Sequence, residues 1–135
     1  MSISQYCTAT NIGTGLAASF ATLGIIVGIS AFTGDPTSMA EQFGVNVSPP
    51  ATDAVPFIRA CAARNIGSGI GIFTLIALGK PTAVGILLST SWVVMVLDGW
   101  IVAQAAGRWT STALGHVGFI PVSLLTSWLL IDGGQ

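Results

Sequence analysis

Residues 10–32 read TNIGTGLAASFATLGIIVGISAF, an apolar run that contains no charged side chain. A helix needs about 20 such residues to cross the hydrocarbon core of a bilayer, so this run is long enough to span a membrane. It lacks the basic leading segment of a secretory signal, and we therefore expect the helix to be retained. The stretch predicts a transmembrane helix.

Three more apolar runs follow, and together they predict transmembrane helices at residues 56–79, 82–106 and 111–131. The loop 33–55 is polar and rich in turn signals, which places it outside the membrane, with a short interfacial helix at 37–43. The two later connections are very short, and short connections make neighbouring helices antiparallel. We expect one domain, an all-α, up-down, four-helix transmembrane bundle with both termini on one side.

The composition supports this class and excludes others. The mean hydropathy is +0.82 and 7% of the 135 residues are charged, far fewer than the surface of a soluble domain needs. A net charge of −1 gives no footprint for nucleic acid. His116 is the only histidine, so we expect no metal site. The predicted location is a membrane that the chain crosses several times, the endoplasmic reticulum membrane if the source is eukaryotic.

Small residues recur at four-residue spacing, which lets helix backbones approach closely where lipid gives no hydrophobic drive for association. The pairs are Ala17/Ala21, Gly24/Gly28 and Gly67/Gly71. We read them as packing positions. Because the first helix has more small residues than one bundle needs, a homo-oligomer is also expected.

Four ionisable residues lie inside the apolar runs: Arg59, Arg64, Asp98 and His116. Such residues are costly within a membrane and indicate a functional site by default. With a rise of about 1.5 Å per residue, Arg64 and Asp98 both lie roughly 12 Å below the face that carries the long loop. The other two fall in the same half of the membrane.

Two interpretations of this layer stay open. In the first, Arg64 and Asp98 form an ion pair that locks the second and third helices together. In the second, all four side chains line a pocket between helices two, three and four. There His116 or Asp98 would move a proton, while Arg59 or Arg64 would stabilise an oxyanion. The substrate-contacting residues would be Phe57, Asn65, Ser68 and Trp100.

The motif PFIRA at 56–60, followed by ARN at 63–65, Gly69, Asp98-Gly99 and His116, resembles DUF4267, a family of small four-helix integral membrane proteins of unknown function. The segment AEQFG at 40–44 also fits the first loop of that family. The resemblance implies the four-helix fold. Fungal members are similar to membrane enzymes of natural-product pathways that cyclise or isomerise lipophilic intermediates.

A weaker resemblance is to glutathione-using four-helix membrane enzymes, which also carry an Arg and an Asn in helix two. Their helix-two pattern includes a Glu, near the place where this chain has Ser68.

Our sequence-based hypothesis is a membrane-embedded cyclase or isomerase that needs no cofactor and acts by general acid/base catalysis on a lipophilic small molecule of terpenoid or polyketide type. The alternatives are a non-catalytic binder of lipid or small molecules, an accessory subunit and, as a minor possibility, a glutathione-using enzyme. The expected partners are the substrate and membrane lipid.

Overall fold

The computed structural model describes residues 8–47 and 52–133, and the regular elements in those two ranges are all helical. The α-helical segments seen there are α1 (Ala9–Thr33), α2 (Pro36–Phe43), α3 (Val55–Ala77), α4 (Pro81–Thr90), α5 (Trp92–Ala106), α6 (Ser111–Gly118) and α7 (Ile120–Ile131). A 3₁₀ turn, Thr52–Ala54, precedes α3. The predicted all-α class is confirmed.

Within the described residues, four helical bodies are long and apolar enough to span a membrane: Ala9–Thr33, Val55–Ala77, Pro81–Ala106 and Ser111–Ile131. These bounds differ from the predicted ones by two residues at most. No more than 22% of the residues in each apolar window are buried, so most apolar side chains face outwards. Apolar surface of this extent is compatible with an integral membrane protein, because lipid tails cover it.

Local sequence signals set the helix ends. The side chains of Thr8 and Thr110 accept hydrogen bonds from the backbone N–H groups of Asn11 and Ala113, which caps α1 and α6. Gly107 ends α5 in the left-handed conformation, with a φ of 67°, as glycine does at many helix C-termini.

The four bodies pack as a ring that is open on one side. Helix α1 packs along α3 and α7, α4 packs along α7, and α5 packs along α6. By contrast, α3 and α5 are not in extensive contact, although they belong to consecutive spans. This leaves a seam between α3 and α5. The hydroxyl of Thr10 donates to the carbonyl of Gly133, at 2.8 Å, which places the start of α1 and the end of α7 side by side, as an up-down bundle requires.

The α1–α3 contact depends on two glycines. A methyl group on Gly28 would lie 2.7 Å from the carbonyl O of Ala62, and one on Gly69 would lie 2.7 Å from that of Ala21. The prediction for Gly67 was wrong, because that residue is exposed and a methyl group there would meet no described atom within 4 Å. Gly71 has the same open surroundings, so Gly69 is the contact residue.

The third and fourth spans each consist of two helices, whereas the sequence predicted one continuous helix for each. Ser91 separates α4 from α5, and Phe119 separates α6 from α7. Pro121 follows the second break at once, and proline has no N–H to donate to the preceding turn of helix. The Ser91 hydroxyl donates to the carbonyl of Leu88, at 2.7 Å, and also bonds the hydroxyl of Ser123, at 2.7 Å. The hydrogen bond between Ser91 and Ser123 thus connects the break in the third span to the first turn of α7.

Candidate functional site

Helix α2 crosses over the seam and joins the two sides of the bundle. At its start Asp35 caps the helix, its carboxylate accepting from the backbone N–H of Thr37 at 2.9 Å. In its middle Met39 is buried in one cluster with Ala31 of α1 and Ala62 of α3. The short helix predicted at 37–43 is present as α2. It covers the seam, and we call it the roof.

The end of α2 is fixed to the opposite side of the seam. Phe43 and Val45 pack against a buried cluster of α5 and α6 residues, Val102, Ala103 and Ala113. Gly44 ends the helix with a φ of +100°, and a methyl group there would lie 2.8 Å from Cγ1 of Val102. Only glycine meets both the conformation and the space.

His116 holds this end of the roof from below. Its Nε2–H donates to the carbonyl O of Phe43 at 3.1 Å, since a carbonyl can only accept. The two rings lie 4.4 Å apart, with planes tilted by 51°. His116 lies in α6, at the end of the bundle that α2 covers. It is not among the described residues that line the pocket, and Phe43 lies between the two.

Below α2 lies a pocket of about 450 Å³ between α3 and α5. Its wall is mainly apolar, with Met39, Ala40 and Phe43 from the roof, Phe57 and Ile58 from α3, and Ile101 from α5. The described lining comes from α2, the segment after it, the 3₁₀ turn, α3 and α5. The expected wall from the fourth span is therefore replaced by the loop helix.

Three polar side chains converge in this pocket: Arg64, Asn65 and Asp98. Asp98 interacts electrostatically with Arg64 and with His116. Neither Arg64 nor Asp98 makes a hydrogen bond or a close ion pair within the described part of the chain. Arg64 and Asp98, the predicted ion pair, thus line one pocket, but no direct salt bridge between them joins α3 to α5.

The other predicted site residues fall in different places. Phe57 lines the pocket, whereas Arg59, Ser68 and Trp100 are not part of its described lining. Cys61 was not among the predicted site residues, yet it lines the pocket one helical turn before Arg64. Ile101 also lines the pocket, one helical turn after Asp98. The three-residue spacing of Cys61 from Arg64, and of Ile101 from Asp98, places each pair on one helix face, and this is the sequence signal that identifies Cys61 and Ile101.

Among the described residues, no group of three or more His, Cys, Asp or Glu side chains is arranged to hold a metal ion. The pocket instead presents one carboxylate, one guanidinium, one amide and one thiol in an apolar wall. Such a set can bind a polar oxygen of a small molecule and transfer a proton.

Comparison with known proteins identifies a family. The family model described as Domain of unknown function (DUF4267) matches residues 21–130, a range that includes the roof and all the polar residues of the pocket. No curated protein and no solved structure matches the chain.

Proposed function

We propose a function for this chain, which belongs to the DUF4267 family of small four-helix membrane proteins, from the pocket that its own residues form. The protein is a membrane-embedded isomerase or cyclase that acts on a lipophilic small molecule by general acid/base catalysis. One observation carries the proposal: a carboxylate and a guanidinium share an apolar pocket without a direct bond between them. A purely structural ion pair would be expected to close on itself.

The chemistry needs no partner beyond the substrate. The Asp98 carboxylate takes a proton from a carbon next to a carbonyl group, so that a C–H bond breaks and an O–H bond forms on Asp98. The electron pair moves to the carbonyl oxygen, where the Arg64 guanidinium stabilises the negative charge. Where a C=C bond is conjugated with the enolate, return of a proton from Asp98 to the far carbon of that bond gives an isomer. Attack of the enolate carbon on a second carbonyl carbon forms a C–C bond and closes a ring; the electron pair of that carbonyl moves to its oxygen, which takes the proton from Asp98.

Two other predicted residues take different roles here. His116 positions the roof through Phe43 rather than touching the substrate. Arg59 faces away from the described lining and has no part in the proton transfer. A terpenoid or polyketide substrate, and a place in the endoplasmic reticulum membrane of a eukaryotic source, belong to the proposal.

Hydrogen exchange tests the proposal without knowledge of the product. The wild type in phosphatidylcholine vesicles is incubated in D₂O with farnesylacetone, a terpenoid ketone, and deuterium uptake next to the carbonyl is followed by mass spectrometry. We expect uptake above the vesicle background and a loss of about 100-fold or more in Asp98→Asn, because a positioned general base contributes that much.

Glu41→Gln is the matched control for the loss of a carboxylate. Glu41 is an exposed residue of α2 outside the described lining, so this variant is expected to keep the wild-type rate. Uptake that persists in Asp98→Asn, or that does not exceed the background in the wild type, contradicts the catalytic proposal.

The mainly apolar wall also favours a second candidate, a non-catalytic binder or accessory subunit. That function predicts a bound ketone with no deuterium uptake. A glutathione site is less favoured, because the two carboxylates and the ammonium of glutathione would meet one guanidinium and one carboxylate in the lining.

A further inference from the structure

The pocket is closed towards the loop and open towards its flank. In the roof, Met39 and Ala40 are 5% and 8% exposed. On the flank, Phe57 and Ile101 line the same pocket but are 76% and 47% exposed. The flank is the seam between two helices that are long and apolar enough to span a membrane, so in a bilayer its opening would face lipid.

The depth of the flank agrees with this. Ile101 stands five residues before the end of α5 at Ala106, which places it about 7.5 Å along the helix from that end. Arg64 and Asp98 lie deeper still. A molecule dissolved in the bilayer therefore reaches the seam without crossing the water layer, and it meets apolar side chains before the polar ones.

The polar end of the pocket has balanced charge. Arg64 and Asp98 both line it. An anion would be attracted by Arg64 and repelled by Asp98, and a cation would be attracted by Asp98 and repelled by Arg64. In a medium of low dielectric an uncompensated ion is costly. An uncharged group with an oxygen acceptor suits both residues, since Arg64 donates to the oxygen while Asp98 accepts from a hydroxyl or an acidic C–H.

We propose that the pocket takes an uncharged, oxygenated lipophile that enters sideways from the bilayer between Phe57 and Ile101. The inference rests on the proposed function only in that it concerns the same pocket. A volume of about 450 Å³ lies within the range of sites for single small molecules. The occupant is thus a carbonyl- or hydroxyl-bearing hydrocarbon, with its oxygen at Arg64 and its hydrocarbon part along the apolar wall.

Cys61 provides the measurement, because it lines the pocket. In a Cys7→Ser background, Cys61 is the one remaining thiol, and its alkylation by membrane-soluble N-cyclohexylmaleimide is timed in phosphatidylcholine nanodiscs. Four C12 probes compete at equal membrane concentration: 2-dodecanone, dodecanoate, dodecyltrimethylammonium and dodecane. We expect the ketone to protect Cys61 at a concentration about tenfold lower than any other probe, the difference that one well-made polar interaction gives.

Protection that is strongest with dodecanoate or with the ammonium probe overturns the neutral-ligand inference. Equal protection by dodecane overturns it too, since no polar recognition would then exist. If the thiol does not react with N-cyclohexylmaleimide, the pocket has no opening to the bilayer and the inference fails.

The route is tested by a matched pair of truncations. Phe57→Ala widens the flank, whereas Phe32→Ala removes a ring of α1 that is also exposed, at 50%, and does not line the pocket. We expect alkylation by N-cyclohexylmaleimide to become severalfold faster in Phe57→Ala and to stay unchanged in Phe32→Ala. An unchanged rate in Phe57→Ala, or faster reaction of the wild type with a sulfonated maleimide that stays in water, contradicts lateral entry.

These results separate the two proposals. Protection by the ketone without deuterium uptake supports the ligand class and refutes catalysis. Deuterium uptake together with best protection by an ion refutes the ligand class and supports catalysis.

Discussion

The half of the bundle around α4 and α7 is packed, whereas the half below α2 contains a pocket. We call the first the closed half: α4, α7 and the parts of α1 and α3 that pack on them, around Ala17, Ile72, Val84, Leu88 and Leu130. We call the second the open half: α2, α5, α6 and the first half of α3. Both halves contain parts of long apolar spans, so an apolar run by itself does not distinguish them.

The two halves treat polar groups differently. In the closed half the buried hydroxyls are bonded to backbone carbonyls: Ser127 donates to Gly85 at 2.8 Å and Ser123 to Leu88 at 3.0 Å, both on the neighbouring α4, and Thr126 donates within its own helix. In the open half Arg64 and Asp98 face a pocket instead. The difference supports the proposal that the open half holds the ligand, while the closed half contributes packing.

The largest expected effect breaks the packing itself. Gly69→Ala places a methyl group 2.7 Å from the carbonyl O of Ala21, which forces α1 and α3 apart. We expect a loss of about 1–3 kcal/mol in the free energy of unfolding, the usual result of overpacking. Steric trapping or denaturant unfolding in mixed micelles measures it.

Gly67→Ala is its control, because a methyl group there meets no described atom within 4 Å and the helix gains a better helix former. This variant is expected to be as stable as the wild type or slightly more stable. Equal losses in both variants would show that α1 and α3 do not pack in the observed register.

A smaller effect should be confined to the open half. His116→Ala removes the hydrogen bond to the carbonyl of Phe43 and the ring contact beside it. We expect amide hydrogen exchange of α2 to rise by about tenfold, since one such bond contributes about 1 kcal/mol. Exchange in α4 and α7 should not change.

His116→Gln, which keeps a side-chain donor, should restore part of the protection. A uniform rise along the whole chain would mean that His116 supports the entire bundle, and it would remove the distinction between the two halves.

The smallest expected effect is a pH dependence at the start of α2. The backbone N–H of Thr37, and then its hydroxyl, hold the pKa of Asp35 below its usual range. A lowered pKa in the folded state means that this cap is fully present above the usual aspartate range and is lost as the pH falls through the lowered value. The Thr37 amide NMR shift should therefore titrate with a midpoint below the usual aspartate range.

Asp35→Asn should keep the cap and abolish this titration, because asparagine also accepts at the N-cap but carries no charge. A midpoint within the usual aspartate range, or a titration that survives in Asp35→Asn, would contradict this explanation.

Much of the fold was predictable because it depends on length and composition. The four spans follow from apolar runs of sufficient length, and α2 follows from Pro36 and Gly44 at its two ends. The common level of Arg64 and Asp98 follows from counting residues along antiparallel helices. The family resemblance, confirmed over residues 21–130, agrees with the same fold.

The rotation of each helix about its axis was not predictable. Since the helices are apolar on every side, the pattern does not show which face turns inwards, and Gly67 and Gly69 look alike in the sequence. For the same reason, the sequence showed the level of Arg64 and Asp98 but not the seam that separates them. The roof formed by α2 depends on long-range contacts, such as that of His116 with Phe43, which local patterns do not encode.

The central claim is that Asp98 serves a ligand and not the stability of the bundle. The free energy of unfolding of Asp98→Asn, measured without added ligand in mixed micelles, tests it most directly. The structure predicts a change of less than about 1 kcal/mol, because no close bond is lost. A loss of about 3–5 kcal/mol, the usual result of breaking a buried ion pair, would contradict the account and would make Arg64 and Asp98 a structural lock.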